Sequence, residues 1–213
     1  MNKRIWILLL VLVLGLGLSN GFAADDKMEA MMKDKTTDKS ATMMDDAKMQ
    51  EMMKLSAPGE NHKQLEPLVG TWNHTSKWWM SADAPAEESK GTSVNSLILD
   101  GRFVKQEFKG QAMGKPFEGL GFFGYDNIKG EYTSIWLDNM ATGIFTMSGT
   151  YSAATKTLSM SGHNSCPMTG EKARSMRWDW TMTDNDHSTF ANYMPGPDGK
   201  EYKAMEIVYT RSA

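Results

Sequence analysis

The sequence predicts an all-β protein, an antiparallel up-and-down barrel of about ten strands entered through a short N-terminal helical plug. Three observations carry that prediction. Asp100 to Asp138 reads as three strands, the first opened by Asp100-Gly101 and the others entered by tight turns at Ala112-Met113-Gly114-Lys115 and Asp126-Asn127-Ile128-Lys129-Gly130. Gly, Asn and Asp clusters between β-branched and aromatic runs are the strongest short-range hairpin signal. The same texture continues to the C-terminus without a helical segment, and short connections force antiparallel neighbours, because a parallel crossover needs a dozen residues or more. A meander of that length exposes two edges unless it closes on itself.

The N-terminus has a different character. Lys3 and Arg4 precede an apolar run from Ile5 to Leu18, and small residues stand at Gly21 and Ala23. This is the pattern of a secretory signal peptide over residues 1–23, cleaved near Ala23; the run is short of the ~20 apolar residues that span a bilayer. The mature protein is therefore expected to be periplasmic or secreted, with no stable membrane insertion after cleavage. The chain has a single cysteine, Cys166, so no internal disulfide framework supports the fold. Lys and Arg number 23 against 26 Asp and Glu, a net charge of −3, which argues against a nucleic-acid binder, where a basic stripe is the rule.

Residues 24–56 form a charged, Met-rich tether, with Met pairs at 31–32, 43–44 and 52–53 and no aromatic, Val or Ile. Such a segment buries too little apolar surface to offset its ordering entropy. Its second half has helical spacing at Met44, Lys48, Met52 and Leu55, with Thr42 and Asp45 resembling a capping box. The barrel domain follows over residues 57–213. Pro58-Gly59 ends the tether, Glu60 to Leu65 is read as one or two helical turns, and Pro67 stops them.

The first strand is placed at 73–80, with Trp72, His74, Ser76 and Trp78 on one face because alternate side chains point the same way. The others are placed at 88–99, 102–110, 116–125, 131–138, 143–151, 157–163, 174–183, 188–194 and 201–211. Within the fourth, Gly119 to Gly124 fits G-x-G-x-x-G, but a turn and another strand follow where a dinucleotide site needs a helix. The glycines are instead expected to let the strand bend or let a large aromatic approach.

A helical plug, Gly-x-Trp on the first strand and a basic residue on the last resemble the calycin group of barrels, which includes the lipocalins. There the Trp lies at the closed end under a cation from the last strand; Trp72 and Arg211 match those positions. The chain more closely resembles the bacterial family DUF1579, through Pro58-Gly59-Glu60-Asn61-His62, Leu68-Val69-Gly70-Thr71-Trp72, Leu99-Asp100-Gly101-Arg102-Phe103, Pro116-Phe117-Glu118-Gly119, Gly124-Tyr125-Asp126 and Trp136-Leu137-Asp138. The resemblance runs from Pro58 to Arg211. It implies a lipocalin-like barrel and, in many members, export; it implies no activity.

Three functional readings stand open. In the first, the barrel holds a small apolar or amphipathic molecule, since ten strands enclose more than the roughly eight whose side chains fill the interior. Its candidate ligand-binding residues are Trp78, Arg102, Glu118, Tyr125, Trp136, Arg177 and Trp178, with Arg102 and Arg177 reaching inward to hold an anionic group, because a guanidinium binds carboxylate or phosphate bidentately. In the second, periplasmic copper is held by the Met pairs and by His163, Cys166 and Met168, which are soft ligands within one loop. In the third, an enzyme of unstated reaction works inside the barrel on a facing pair of ionisable groups. No nucleophile elbow, H-E-x-x-H or paired-Cys motif is present, and no cofactor is predicted.

Overall fold

The computed structural model describes residues 46–167 and 169–212. Two short helices, α1 (Asp46–Ser56) and α2 (Glu60–Lys63), and a 3-10 turn (Glu66–Leu68) precede ten strands. These are β1 (Gly70–Trp78), β2 (Glu87–Ile98), β3 (Phe103–Ala112), β4 (Lys115–Asp126), β5 (Glu131–Asp138), β6 (Phe145–Ser152), β7 (Thr157–Asn164), β8 (Arg174–Met182), β9 (His187–Pro195) and β10 (Glu201–Arg211). Every strand pairs antiparallel with its sequence neighbours, and β1 pairs with β10 to close the barrel. The signal-peptide and most of the tether readings lie outside the described residues.

The turns follow local chemistry. Met113 and Gly114 both have positive φ, at 51° and 71°, the two-residue geometry that matches the twist of a hairpin. Asp126 Oδ1 accepts hydrogen bonds from the backbone N–H of Ile128 and Lys129, and Gly130 supplies the left-handed residue that returns the chain.

Strand β1 begins earlier than the sequence suggested. Gly70 and Trp72 already pair with Asn95 and Ser93 of β2, and Trp72 pairs with Arg211 of β10. Pro67 does not stop a helix; it sits inside the 3-10 turn, where its missing N–H costs nothing. The turn buries Leu68 beside Leu65, and Leu68 O accepts from both Trp72 Nε1 (2.9 Å) and Asn95 Nδ2 (2.8 Å). These bonds fasten the plug across one end of the barrel.

Helix α1 has no buried residue. Its last turn is nevertheless tied down: Asn127 Nδ2 donates to Leu55 O and Ala57 O, and Arg102 Nη2 donates to Ser56 O. The carbonyls at a helix C-terminus lack intrahelical partners, and the barrel supplies them.

The two side-chain faces are well separated. Trp72, Val104, Phe108, Phe123, Tyr132, Met147, Met160, Trp178, Trp180 and Tyr209 belong to one buried cluster. Lys77, Lys105, Glu107, Lys109 and Glu118 alternate with them on the outer wall, as the two-residue strand period requires.

Candidate functional site within the barrel

The barrel interior divides into a plugged half and a half that opens among the loops at the other end. In the plugged half, the polar side chains form a satisfied chain of hydrogen bonds. Gln106 Nε2 donates to Ser93 Oγ (2.9 Å), Ser93 Oγ to Asn95 Oδ1 (2.8 Å) and Asn95 Nδ2 to Leu68 O. Trp180 Nε1 donates to Ser188 Oγ, and its ring stacks on Tyr209 at 5.2 Å. Burial pushes the Tyr209 hydroxyl far above its ordinary pKa, and that of Tyr132 up to about 12.

His74 stands at mid-depth, stacked on Phe108 at 4.1 Å. Its Nε2 lies 3.1 Å from Lys109 O, which can only accept, so Nε2 carries the hydrogen and Nδ1 accepts from Ser76 Oγ. Burial lowers its pKa, with the Lys109 carbonyl opposing. Gly91 makes the close approach possible, since a Cβ there would fall 2.6 Å from His74 Nε2 and nearer still to Lys109 O.

Toward the open end the packing changes. Phe117, Trp136, Phe145, Met176, Phe190 and Met205 all face inward, yet each is only half-buried. Phe117 and Trp136 stack nearly parallel at 6.3 Å, and Phe190 tilts against Trp178 at 5.2 Å. Trp136 Nε1 donates to Asp138 Oδ2 (2.9 Å), while Asp138 Oδ1 accepts from Met140 and Ala141 N–H in the β5–β6 loop. The Trp136 ring lies over Gly119, where a Cβ would fall 2.2 Å from Cζ2; Gly124 admits Phe103 in the same way. The glycines of the G-x-G-x-x-G stretch thus serve aromatic packing. Two polar side chains here, Ser134 and Asn192, are buried at 5% and 6% exposure, and neither Ser134 Oγ nor Asn192 Oδ1 has a hydrogen-bond partner among the described residues.

The residues singled out from sequence fall in three places. Trp136 and Trp178 face the interior, and Trp78 ends β1 at the open rim. Tyr125 and Arg102 meet at the plugged end, beside a surface cleft of about 270 Å³ that His62, Phe103 and Asn127 also line. Arg102 does not reach into the barrel: it donates to Leu99 O and Ser56 O and pairs with exposed Asp100. Arg177 also points outward, over the Tyr193 ring at 4.0 Å and in ion pairs with Asp179 and Glu201. Glu118 is exposed on the outer wall near Lys109. Both outward placements follow from strand parity, because Trp178 and Phe117 take the inward positions beside them.

Arg211 Cζ lies 4.1 Å from the centroid of the Trp72 ring at the plugged end. His163 faces outward and exposed, whereas Cys166 Sγ accepts from Arg174 Nη1 at 3.7 Å; Met168 lies outside the described residues. The described residues contain no group of three or more His, Cys, Asp or Glu placed to hold a metal ion. At inward positions, the described residues carry Lys, Arg, Asp or Glu only at the ends of the barrel, among them Glu87, Asp138 and Arg174 at the open rim. Sequence reading missed Ser134, Asn192 and the Asp138–Trp136 bond, although parity with Trp136 and Phe190 would have turned both small polar residues inward.

A family model described as "Protein of unknown function (DUF1579)" matches residues 57–211. Among solved structures, Rv2717c from M. tuberculosis is similar at a TM-score of 0.56 and 15% identity, covering 74% of this chain and all of that one. An S-type phycobiliprotein lyase, CPES from Guillardia theta, is similar at a TM-score of 0.52 and 11% identity, covering 76% of this chain and 97% of that one. At these identities the likeness is one of fold. No curated protein matches the chain.

Proposed function

The chain belongs to the DUF1579 family, and from that footing we propose that it is an exported carrier that holds a small apolar or amphipathic molecule in the open half of its barrel. One observation carries the reading. Six inward apolar side chains, Phe117, Trp136, Phe145, Met176, Phe190 and Met205, remain half-buried where a filled core would bury them. Protein interiors pack to the density of organic crystals, and a concave apolar wall with a few polar groups is the usual form of a small-molecule site. The barrel fold shared with a phycobiliprotein lyase is compatible with such a ligand.

Export rests on Lys3, Arg4, the run Ile5–Leu18 and the small residues before Ala24. Among the described residues no helix is long and apolar enough to cross a membrane. N-terminal sequencing of the fractionated protein should find a chain starting near Ala24 in the exported fraction.

Native mass spectrometry of protein from its own compartment, combined with titration of the uncharged fluorophore N-phenyl-1-naphthylamine, tests the binding reading. A bound mass, or a saturable rise in fluorescence that Trp136→Ala reduces, is expected. A clean apo mass together with no uptake of the fluorophore overturns it.

A further inference from the structure

Three buried polar atoms lack a hydrogen bond among the described residues: Arg174 Nε at the rim, which faces Glu171 at 3.7 Å, and Asn192 Oδ1 and Ser134 Oγ, which lie among aromatic and Met side chains and define what kind of molecule the open half takes. Asn192 sits on β9 directly opposite Trp178 of β8 and Met205 of β10, one inward position along from Phe190. Its Oδ1 is buried without a hydrogen bond. Ser134 sits on β5 between Phe123 of β4 and Met147 of β6, and its Oγ is buried in the same condition. A buried polar atom without a partner costs free energy, and nearly all such atoms in folded proteins are paired. The contrast within this barrel is direct, because Ser93, Asn95, Gln106 and Ser188 in the plugged half are all bonded.

Resting on the carrier reading, we propose that Asn192 and Ser134 are the polar anchors of a site for an uncharged, planar aromatic molecule bearing an N–H or O–H donor. Asn192 Oδ1 is an acceptor with no hydrogen directed at it, and a ligand donor satisfies it. Trp178 and Phe190, with centroids 5.2 Å apart, form the adjoining wall for a flat ring. The ligand is uncharged where it is enclosed. Below the rim, the described inward positions carry no Lys, Arg, Asp or Glu, and burying an uncompensated charge there is far costlier than burying an aromatic ring.

The probes are indole, 1-methylindole and indole-5-carboxylate, titrated calorimetrically into the whole protein. Indole supplies the N–H, 1-methylindole removes it at similar shape, and the carboxylate adds a ring charge. Wild type should bind indole more tightly than 1-methylindole. Asn192→Leu should weaken indole about tenfold, the worth of one hydrogen bond, and leave 1-methylindole within about twofold. Indole-5-carboxylate should bind more than about tenfold more weakly than indole. Asn192→Leu should melt no lower than wild type, since it removes an unpaired amide. If it fails to fold, Ser134→Ala faces the same indole comparison. Equal loss of indole and 1-methylindole, no loss of either, or carboxylate binding as tight as indole overturns the inference while leaving the carrier reading intact. Absence of binding by all three probes and by N-phenyl-1-naphthylamine overturns both.

Discussion

Arg211 closes the barrel by lying across Trp72, the residue directly opposite it on the first strand. The pair is more than a cation over a ring. Arg211 Nη1 donates to Val69 O at 2.7 Å and Nε to Asn185 O at 2.8 Å, while Nε also faces Asp186 at 3.5 Å. One guanidinium thereby joins the plug, the first strand, the last strand and the β8–β9 loop. A planar fork with five donors can do this; an ammonium on a flexible stem cannot address all of those directions at once.

Removing that side chain should therefore cost much more than an ordinary surface change. Arg211→Ala is expected to destabilise the protein by about 1–3 kcal/mol, against the usual ±0.5 at unremarkable surface sites. Arg211→Lys should recover only part. Urea melts of the three proteins check this, and coincident midpoints would mean that the strand ladder alone holds the seam.

Gly119→Ala should disturb the open half without touching the plug. The new methyl would overlap the Trp136 ring, whose Nε1 is held by Asp138, so the ring has little freedom to retreat. Overpacking of this kind costs about 1–3 kcal/mol. Uptake of N-phenyl-1-naphthylamine should change as well, because Trp136 is part of the cup wall. A variant with wild-type melting and wild-type uptake would show that Trp136 moves freely.

Acid should weaken the fold through two buried histidines. Burial lowers the pKa of His74 and of His62 from 6.5; for His62 the Tyr125 carbonyl opposes this and Arg102 adds to it. His62 Nδ1 accepts the Gly59 N–H, a bond that protonation would abolish. The unfolded chain thus binds protons first as pH drops. The stabilisation is complete above about pH 6.5 and is lost as pH falls below it toward the lowered folded values. Thermal melts at pH 7.5 and 5.5 should show a lower midpoint at 5.5, and His74→Gln should flatten the difference. An unchanged pH slope in that variant would place the effect elsewhere.

Much of the architecture was legible because strand structure is written at short range. Turn residues such as Met113-Gly114 and Asp126 act within four positions, and β5 and β10 span the residues expected of them. The interior was less legible, for two different reasons. Arg177 and Glu118 were misplaced by considering them singly; each adjoins an inward residue, Trp178 or Phe117, and the pleat sends such neighbours to opposite faces. Arg102 falls in a turn, where no parity applies, and its partners are the carbonyls of Leu99, close before it in the chain, and of Ser56, far before it at the end of α1.

By itself, the sequence determined the ten strands, their antiparallel order and the identity of the residues at the closing seam, because each depends on local pattern or on a distinctive pairing such as Trp72 with Arg211. Only the tertiary structure decided which inward polar side chains find partners. Asn95 and Asn192 are the same residue type on equally inward positions. Asn95 finds Leu68 O, which arrives from a plug 27 residues away, and is satisfied; Asn192 meets Trp178, Phe190 and Met205, which offer it nothing. Whether a buried amide finds a partner depends on what the closed sheet carries across from it, and that is a property of barrel closure rather than of any stretch of chain.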